Sequence, residues 1–175
     1  SNIVDMYFYN DSIYAALADN TIVKIPLSKN IESETELTAA PAKASLIPFI
    51  IGTLDTGGEA YGIYVDNSEA YISDYGNGLI IADVLDLTLP GDTLLEEYNG
   101  DDFFGFAFDA KNIGGFVFVA SEIGDLDVVN RLALSPPYTQ RFTTPGVDYR
   151  IDIKDPYIFL TNWDLGLQII DSSDP

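Results

Sequence analysis

The sequence predicts an all-β fold, a β-propeller of about four four-stranded blades whose last blade is incomplete. Three observations indicate this fold: short extended runs separated by turn residues, a repeat of the whole pattern, and a near absence of helix-favouring segments. The chain has 175 residues, enough for a single propeller domain with a buried core. We interpret it as one such domain or as a segment of a larger propeller.

The repeat is visible in two stretches, "SDYGNGLIIADVLDL" and "TNWDLGLQIIDSSDP". When one is placed over the other, Gly78 falls on Gly166 and Asp83 on Asp171, a constant offset of 166 − 78 = 88 residues. Half of this offset is the usual length of a four-stranded propeller blade, about 40 to 45 residues. The repeats that this spacing predicts are 2–58, 59–101, 102–146 and 147–175.

Each repeat begins with two extended runs that are rich in Val, Ile, Tyr and Phe and are broken by Gly, Asn, Asp and Pro, as is typical of strands and turns. The predicted first strands are 4–11, 61–67, 103–110 and 148–155. The predicted second strands are 12–19, 70–75, 114–121 and 156–162.

A third strand follows each second strand after a tight polar turn, and a less regular fourth strand closes each repeat except the last. The predicted third strands are 21–28, 78–84, 125–132 and 165–172, and the predicted fourth strands are 45–54, 92–98 and 136–144. The one segment of helix-favouring composition, 32–45, contains Pro41, which limits any helix to a turn or two. We predict that it is a surface insertion.

The last repeat has three predicted strands, which leaves a sheet edge without a partner strand. An unpaired edge and an uncovered blade face expose apolar surface, and repeat arrays need caps to stay soluble. We therefore expect another protein chain, or another copy of this chain, to complete the last blade.

The stretches "GIYVDNSEAYISDYGNGLIIADVLDLTLP" and "YRIDIKDPYIFLTNWDLGLQIIDSSDP" resemble the LVIVD repeat of bacterial and archaeal surface β-propellers. The second and fourth repeats carry the resemblance best. The third has Asn130 at the position of Asp83, and the first keeps only the strand pattern. The resemblance implies an extracellular or cell-surface location and a propeller fold. It implies no activity, because the shared motifs are structural.

Charge and composition restrict the partners. The chain carries 28 acids against 8 bases, a formal charge of −20, which repels nucleic acid and anionic lipid. The sequence also shows no apolar run long enough to span a bilayer, so we predict neither nucleic-acid binding nor membrane insertion. Cations, basic proteins and neutral sugars remain as partners. Because the chain has no Cys and no His, thiol chemistry and the usual His-based catalytic and metal sites are excluded.

The turns between second and third strands are the candidate binding site, because every copy carries acid or amide groups. In a propeller these turns lie at one rim, so we expect their side chains to share one surface. Acids beside aromatic rings suit a sugar or a cationic partner, although turns favour Asp and Asn for their own hydrogen bonding. The candidate ligand-binding residues are Asp19, Asp74, Tyr75, Asp125, Trp163 and Asp164.

The interpretation that we favour is a noncatalytic extracellular binding or scaffold module, whose acidic, aromatic-bearing face meets a protein or glycan partner. The alternative is a carbohydrate-active hydrolase with paired carboxylates, which requires no His, but the sequence singles out no such pair and no catalytic residue. We predict no cofactor. Calcium remains open, since the segments 123–130 and 100–102 are rich in carboxylates.

Overall fold

The structure, a computed structural model, describes residues 2–26, 52–84, 94–98, 106–122, 124–132 and 138–173. In this part of the chain the regular elements are fifteen β-strands, arranged as four antiparallel sheets. Each sheet is a meander, in which strands adjacent in sequence are adjacent in space. Among the described residues no helix is long and apolar enough to cross a membrane.

The sheets are numbered in chain order. Sheet I contains β1 (Ile3–Tyr9), β2 (Ser12–Leu17), β3 (Thr21–Pro26) and β4 (Gly52–Asp55). Sheet II contains β5 (Gly62–Asp66), β6 (Glu69–Ser73), β7 (Leu79–Asp83) and β8 (Leu94–Tyr98). Sheet III contains β9 (Ala107–Ile113), β10 (Phe116–Ser121), β11 (Asp125–Asn130) and β12 (Tyr138–Thr143). Sheet IV contains β13 (Asp148–Lys154), β14 (Tyr157–Asn162) and β15 (Gly166–Asp171).

The strands predicted from the sequence are confirmed with one clear shift. The sequence predicts the first strand of sheet III over 103–110, but the strand runs over Ala107–Ile113. The cause is the turn: Gly114 and Gly115 have φ of 59° and 91°, so they form the two-residue hairpin that the prediction placed earlier. The predicted insertion 32–45 and most of the predicted strand 45–54 lie outside the described residues.

The sheets stack in chain order around their first strands. Among the described strands, β1 packs against β5, β5 against β9 and β9 against β13. Two Asp side chains, the half-buried Asp5 and the buried Asp109, reinforce this stacking across neighbouring sheets. Asp5 Oδ2 accepts a hydrogen bond from the backbone N–H of Ile63 (3.0 Å), and Asp109 Oδ2 accepts one from the N–H of Ile151 (3.0 Å).

Strand β7 shows why the third strands read as nearly continuous apolar runs. Its side chains alternate between the two faces of the sheet. Ile80 and Ala82 belong to the core shared with sheet I, whereas Leu79 and Ile81 belong to the core shared with sheet III. A strand covered on both faces has no solvent side, so an alternating apolar and polar pattern is lost.

The two outer faces of the stack are open. On sheet I, Met6 and Phe8 are 58% and 59% exposed, and on sheet IV, Leu167 and Ile169 are 58% and 60% exposed. Among the described strands, β13 does not pack on β1 as the first strands of neighbouring sheets pack on each other. Three of the described strands belong to sheet IV, which confirms the predicted incomplete last sheet and places β15 at its edge.

Candidate ligand-binding face

The turns that follow β2, β6, β10 and β14 lie at one end of the stack, because all four sheets have the same strand order about a common axis. The connections into β5 and β13, residues 56–61 and 144–147, reach the same end. We call this end the rim face. It contains the six residues that the sequence predicts as ligand-binding, but they differ in their burial and in their contacts.

Asp74 is fully buried rather than displayed. Its carboxylate accepts hydrogen bonds from Thr56 Oγ1 (2.7 Å) and Asn77 Nδ2 (3.0 Å). Burial raises the pKa of Asp74 to about 6, although these hydrogen bonds act in the opposite direction. Asp74 therefore ties the connection between sheets I and II to the β6–β7 turn, and its carboxylate is not available at the surface.

Asp125 is also buried, at 7% exposure. In the strand register it pairs with Ser121, as Gly166 pairs with Asn162, so Asp125 occupies a position at which sheet IV has a glycine. Its carboxylate lies 3.1 Å from Arg141 Nε, which also lies 2.9 Å from Asp127. This acid is therefore engaged by Arg141 within sheet III.

Asp19 and Asp164 are exposed, in the turns of sheets I and IV. The expected surface ring of four acids is thus wrong for Asp74 and Asp125. The physical reason is that a carboxylate in a turn can accept hydrogen bonds from nearby donors. An acid can be buried without a large cost in free energy only when it has such hydrogen bonds or an ion pair.

Tyr75 lies on the rim face but offers little free ring surface. Its ring stacks on Phe106, with centroids 4.0 Å apart and planes 11° apart, and on Tyr61, with centroids 5.1 Å apart and planes 23° apart. Its backbone has φ of 45°, a conformation that a bulky residue rarely adopts. A third ring, Phe108, lies with its centroid 5.9 Å away. We conclude that Tyr75 mainly packs against its aromatic neighbours.

Trp163 is different, because its side chain is 75% exposed. Its indole contacts Tyr149, with centroids 5.8 Å apart, and Tyr149 contacts Phe108 at 4.8 Å. Phe108 in turn contacts Tyr61 at 5.5 Å. The two predicted aromatics are therefore joined by one continuous row of rings, which we call the aromatic row. In order, it comprises Phe106, Tyr75, Tyr61, Phe108, Tyr149 and Trp163.

Four members of this row were not predicted, although a signal for two of them was present. The stretches "TGGEAYG" (56–62) and "TPGVDYR" (144–150) align at the same offset of 88 residues and place Tyr61 on Tyr149. This alignment extends the repeat into the connections between sheets. Phe106 and Phe108 have no such partner, and only the structure brings them into the row.

The repeat also explains the local geometry around Trp163. Asn162 stands where Asp74 stands in the second repeat, and its amide performs the equivalent task. Asn162 Oδ1 accepts hydrogen bonds from the backbone N–H groups of Asp164 and Leu165 (3.1 Å each), and its Nδ2 donates to the carbonyl of Pro145 (2.7 Å). The turn is thereby fixed, and Trp163 is presented at its outer corner.

The described residues contain no group of three or more acids that could hold a metal ion. Within the predicted calcium segment 123–130, Asp125 and Asp127 face Arg141. The other predicted segment, 100–102, lies outside the described residues.

Comparison with known proteins identifies the fold to which this arrangement of sheets belongs. No protein-family model and no curated protein sequence matches the chain, but solved structures do. The WD40 β-propeller domain of Doa1 superposes with a TM-score of 0.71 at 15% identity, over 99% of this chain and 52% of that one. The fold is a β-propeller. Sheets I to IV are its blades, and we refer to them as blades I to IV.

Two further propeller structures support this assignment. The computationally designed Ika4 protein matches with a TM-score of 0.68 at 11% identity, over 98% of this chain and 91% of that one. BamB from Moraxella catarrhalis matches with a TM-score of 0.65 at 10% identity, over 95% of this chain and 42% of that one. The chain thus spans most of Ika4 but only about half of the Doa1 domain and of BamB. At such identities the likeness shows the fold alone.

Proposed function

We propose that the protein is a noncatalytic binding module of the cell surface or extracellular space, and that its rim face binds a partner through Trp163. The observation that carries the proposal is the 75% exposure of Trp163 at the end of the aromatic row. A large apolar side chain held out by a fixed turn is typical of a binding surface rather than of a core.

A neutral glycan suits this surface best. A sugar ring stacks on an indole face, and carboxylates beside the indole accept hydrogen bonds from its hydroxyl groups. Asp164, the neighbour of Trp163 in the turn, is exposed and supplies such a carboxylate. A basic protein is the alternative partner, since acids and aromatic rings also attract cations.

The test is a binding screen of neutral glycans and of basic proteins with the unaltered protein and with Trp163→Ala. We expect a neutral glycan to bind, and its affinity to fall at least tenfold in the variant. Tyr157→Ala is the matched control, because Tyr157 is an exposed aromatic of the same blade, 45% exposed, at the end of β14 away from the rim face. Equal binding by all three proteins would refute the proposal, and binding of basic proteins alone would favour the second partner class.

A hydrolase finds less support. A glycosidase requires two carboxyl groups roughly 5 to 10 Å apart at the site of cleavage. Of the predicted acids on the rim face, Asp74 and Asp125 are buried by their own partners, and Asp19 and Asp164 belong to the first and the last blade. These positions therefore lend no support to a catalytic pair among the four predicted acids.

We also propose that a second copy of the chain covers the open outer faces of blades I and IV. Every inner blade presents apolar side chains to its neighbour on both faces, and the two outer faces present the same chemistry to solvent. Blade IV of one copy would then meet blade I of the other. A different protein chain is the alternative cover.

A further inference from the structure

A cavity of about 490 Å³ lies between blades III and IV. Phe116 lines it near the β9–β10 hairpin, and Asp155 lines it at the β13–β14 turn. Both turns lie at the end of the blades opposite the rim face. The cavity is therefore separate from Trp163 and from the aromatic row.

The cavity lies where the facing sides of the two blades are only partly packed together. Part of the interface is filled by buried side chains, including Leu126, Ile158 and Leu160. Elsewhere in it, Phe118 and Ile170 are only half-buried, and Phe142 on the edge strand β12 is 46% exposed. The apolar walls thus continue beyond the packed core without meeting.

The charged groups on the described lining of the cavity are all acidic. Asp155 and Asp171 contribute carboxylates, while Gln140 and Ser172 contribute neutral groups. Among the described residues no Lys or Arg lines the cavity. Hydrogen bonds from Ser173 hold the pKa of Asp171 below its usual range, so this carboxylate is charged at neutral pH.

We propose that this cavity binds a small hydrophobic cation, an amine with an apolar body of drug-like size. Its volume falls within the range of about 300 to 1,000 Å³ that is typical of ligand pockets, which are mostly apolar with a few placed polar groups. The apolar body packs against Phe118, Phe142, Ile153 and Ile170, and the ammonium group is attracted by Asp155 and Asp171. An anion of the same shape meets like charge at both carboxylates.

Three probes that share one apolar body test the role of charge: 4-phenylbutylamine, 4-phenylbutanol and 4-phenylbutyrate. Binding is followed by chemical-shift titration of the full chain. We expect the amine to bind at least tenfold more tightly than the carboxylate, with the alcohol between them. Nuclear Overhauser contacts from the phenyl group should reach Phe142 and Ile170. Equal binding of the three probes, or contacts elsewhere on the surface, would overturn the proposal.

Variants separate the cavity from general attraction to an acidic protein. Asp155→Asn combined with Asp171→Asn should abolish the preference for the amine over the alcohol. Asp11→Asn combined with Asp152→Asn is the matched control, since it removes two charges at exposed positions that do not line the cavity, and it should keep the preference. Loss of the preference in both pairs would mean adsorption by net charge and would also overturn the proposal.

A third variant blocks the space itself. Gln140→Trp introduces a bulky ring from the exposed edge strand β12 into the lining, and binding of all three probes should be lost. Circular dichroism and thermal unfolding verify that the variant folds. If it does not, the phenyl contacts to Phe142 and Ile170 in the unaltered protein decide alone. Retained binding in a folded Gln140→Trp protein would refute the cavity as the site.

Discussion

Arg150 and Asp5 form an ion pair across the propeller axis, with Arg150 Nη1 3.2 Å from Asp5 Oδ2. Arg150 lies on the first strand of blade IV and Asp5 on the first strand of blade I, 145 residues earlier. The same carboxylate oxygen of Asp5 accepts the hydrogen bond from Ile63 of blade II. Blades I and IV therefore meet at the axis through charge, even though their outer faces are open.

A double-mutant cycle measures this link. We expect Arg150→Ala and Asp5→Ala to show a coupling energy of about 0.5 to 1 kcal/mol, because both side chains are partly exposed and water screens the pair. Asp5→Ala should be the more costly single change, since it leaves the buried N–H of Ile63 without its acceptor. Urea unfolding at low and at high salt provides the energies. A coupling energy near zero at low salt would contradict the link.

Two glycines should respond differently to substitution. A Cβ at Gly62 would lie 2.7 Å from the carbonyl oxygen of Phe108, on the neighbouring blade. Gly62→Ala must therefore push blades II and III apart, and we expect it to lower the free energy of unfolding by about 2 to 3 kcal/mol. Urea unfolding at a single pH measures the loss. A loss below that of an ordinary surface substitution would contradict the close approach.

Gly166 provides the contrasting case. A Cβ there meets nothing within 4 Å, but its φ is 79°. Gly166→Ala should cost about 1 kcal/mol from backbone strain alone. Gly166→Asn should cost less than Gly166→Ala, because Asn tolerates the left-handed region. If Gly62→Asn also cost less stability than Gly62→Ala, backbone strain rather than crowding would govern position 62 as well.

Asp74 makes stability depend on pH. Its pKa is about 6 in the folded protein, raised from 3.8 by burial, so the folded state holds the proton more tightly than the unfolded state. The free energy of unfolding therefore falls as pH rises from about 4 to about 6 and is then constant, a loss of about 2 to 3 kcal/mol at 1.36 kcal/mol for each pKa unit.

The variant Asp74→Asn removes this ionisation, and Asn already occupies the equivalent position 162. The stability of Asp74→Asn relative to the unaltered protein should increase by about 2 to 3 kcal/mol between pH 4 and pH 7. Burial also raises the pKa of Asp109, Asp127 and Asp148, but these carboxyls are present in both proteins and their effects cancel. A difference in the free energy of unfolding between the two proteins that stays constant from pH 4 to pH 7 would contradict the assignment.

The sequence predicts the architecture well because the period of 88 residues and the alternation within strands arise from the same packing that holds the blades together. Leu79 to Ala82 illustrate this, since their alternate burial against two neighbours makes a continuous apolar run necessary. The site is predicted less well. For a turn residue such as Asp74 or Asp125, the sequence is the same whether the carboxylate faces solvent or a buried hydrogen-bond donor. Its environment depends on Thr56 or Arg141, which come from other parts of the chain.

The two aromatics predicted from the repeat should have separate roles. Tyr75→Ala should lower the free energy of unfolding by about 1 to 3 kcal/mol, because each lost aromatic pair contributes about 0.5 to 1.5 kcal/mol. Trp163→Ala should change it by less than about 0.5 kcal/mol, as is usual for an exposed side chain. Thermal and urea unfolding provide both values.

A second substitution at position 75 tests the backbone. Tyr75→Gly should be less costly than Tyr75→Ala, because glycine adopts φ of 45° without strain. Tyr75→Phe keeps the stacked ring and should be nearly neutral. If Trp163→Ala were as destabilising as Tyr75→Ala, Trp163 would be a packing residue and the proposed binding role would lose its basis.

The open faces of blades I and IV predict self-association. Leu167 and Ile169 of one copy would be buried against Met6 and Phe8 of another, and burial of apolar surface contributes about 25 cal/mol for each Å². Light scattering should therefore give about twice the 19.1 kDa of the chain.

Leu167→Glu combined with Ile169→Glu should shift the mass to 19.1 kDa, because the carboxylates would be buried without partners. Leu132→Glu is the control, since Leu132 is 66% exposed but lies on blade III, and it should leave the mass unchanged. A mass of 19.1 kDa for the unaltered protein at every concentration would rule out the second copy as the cover of these faces.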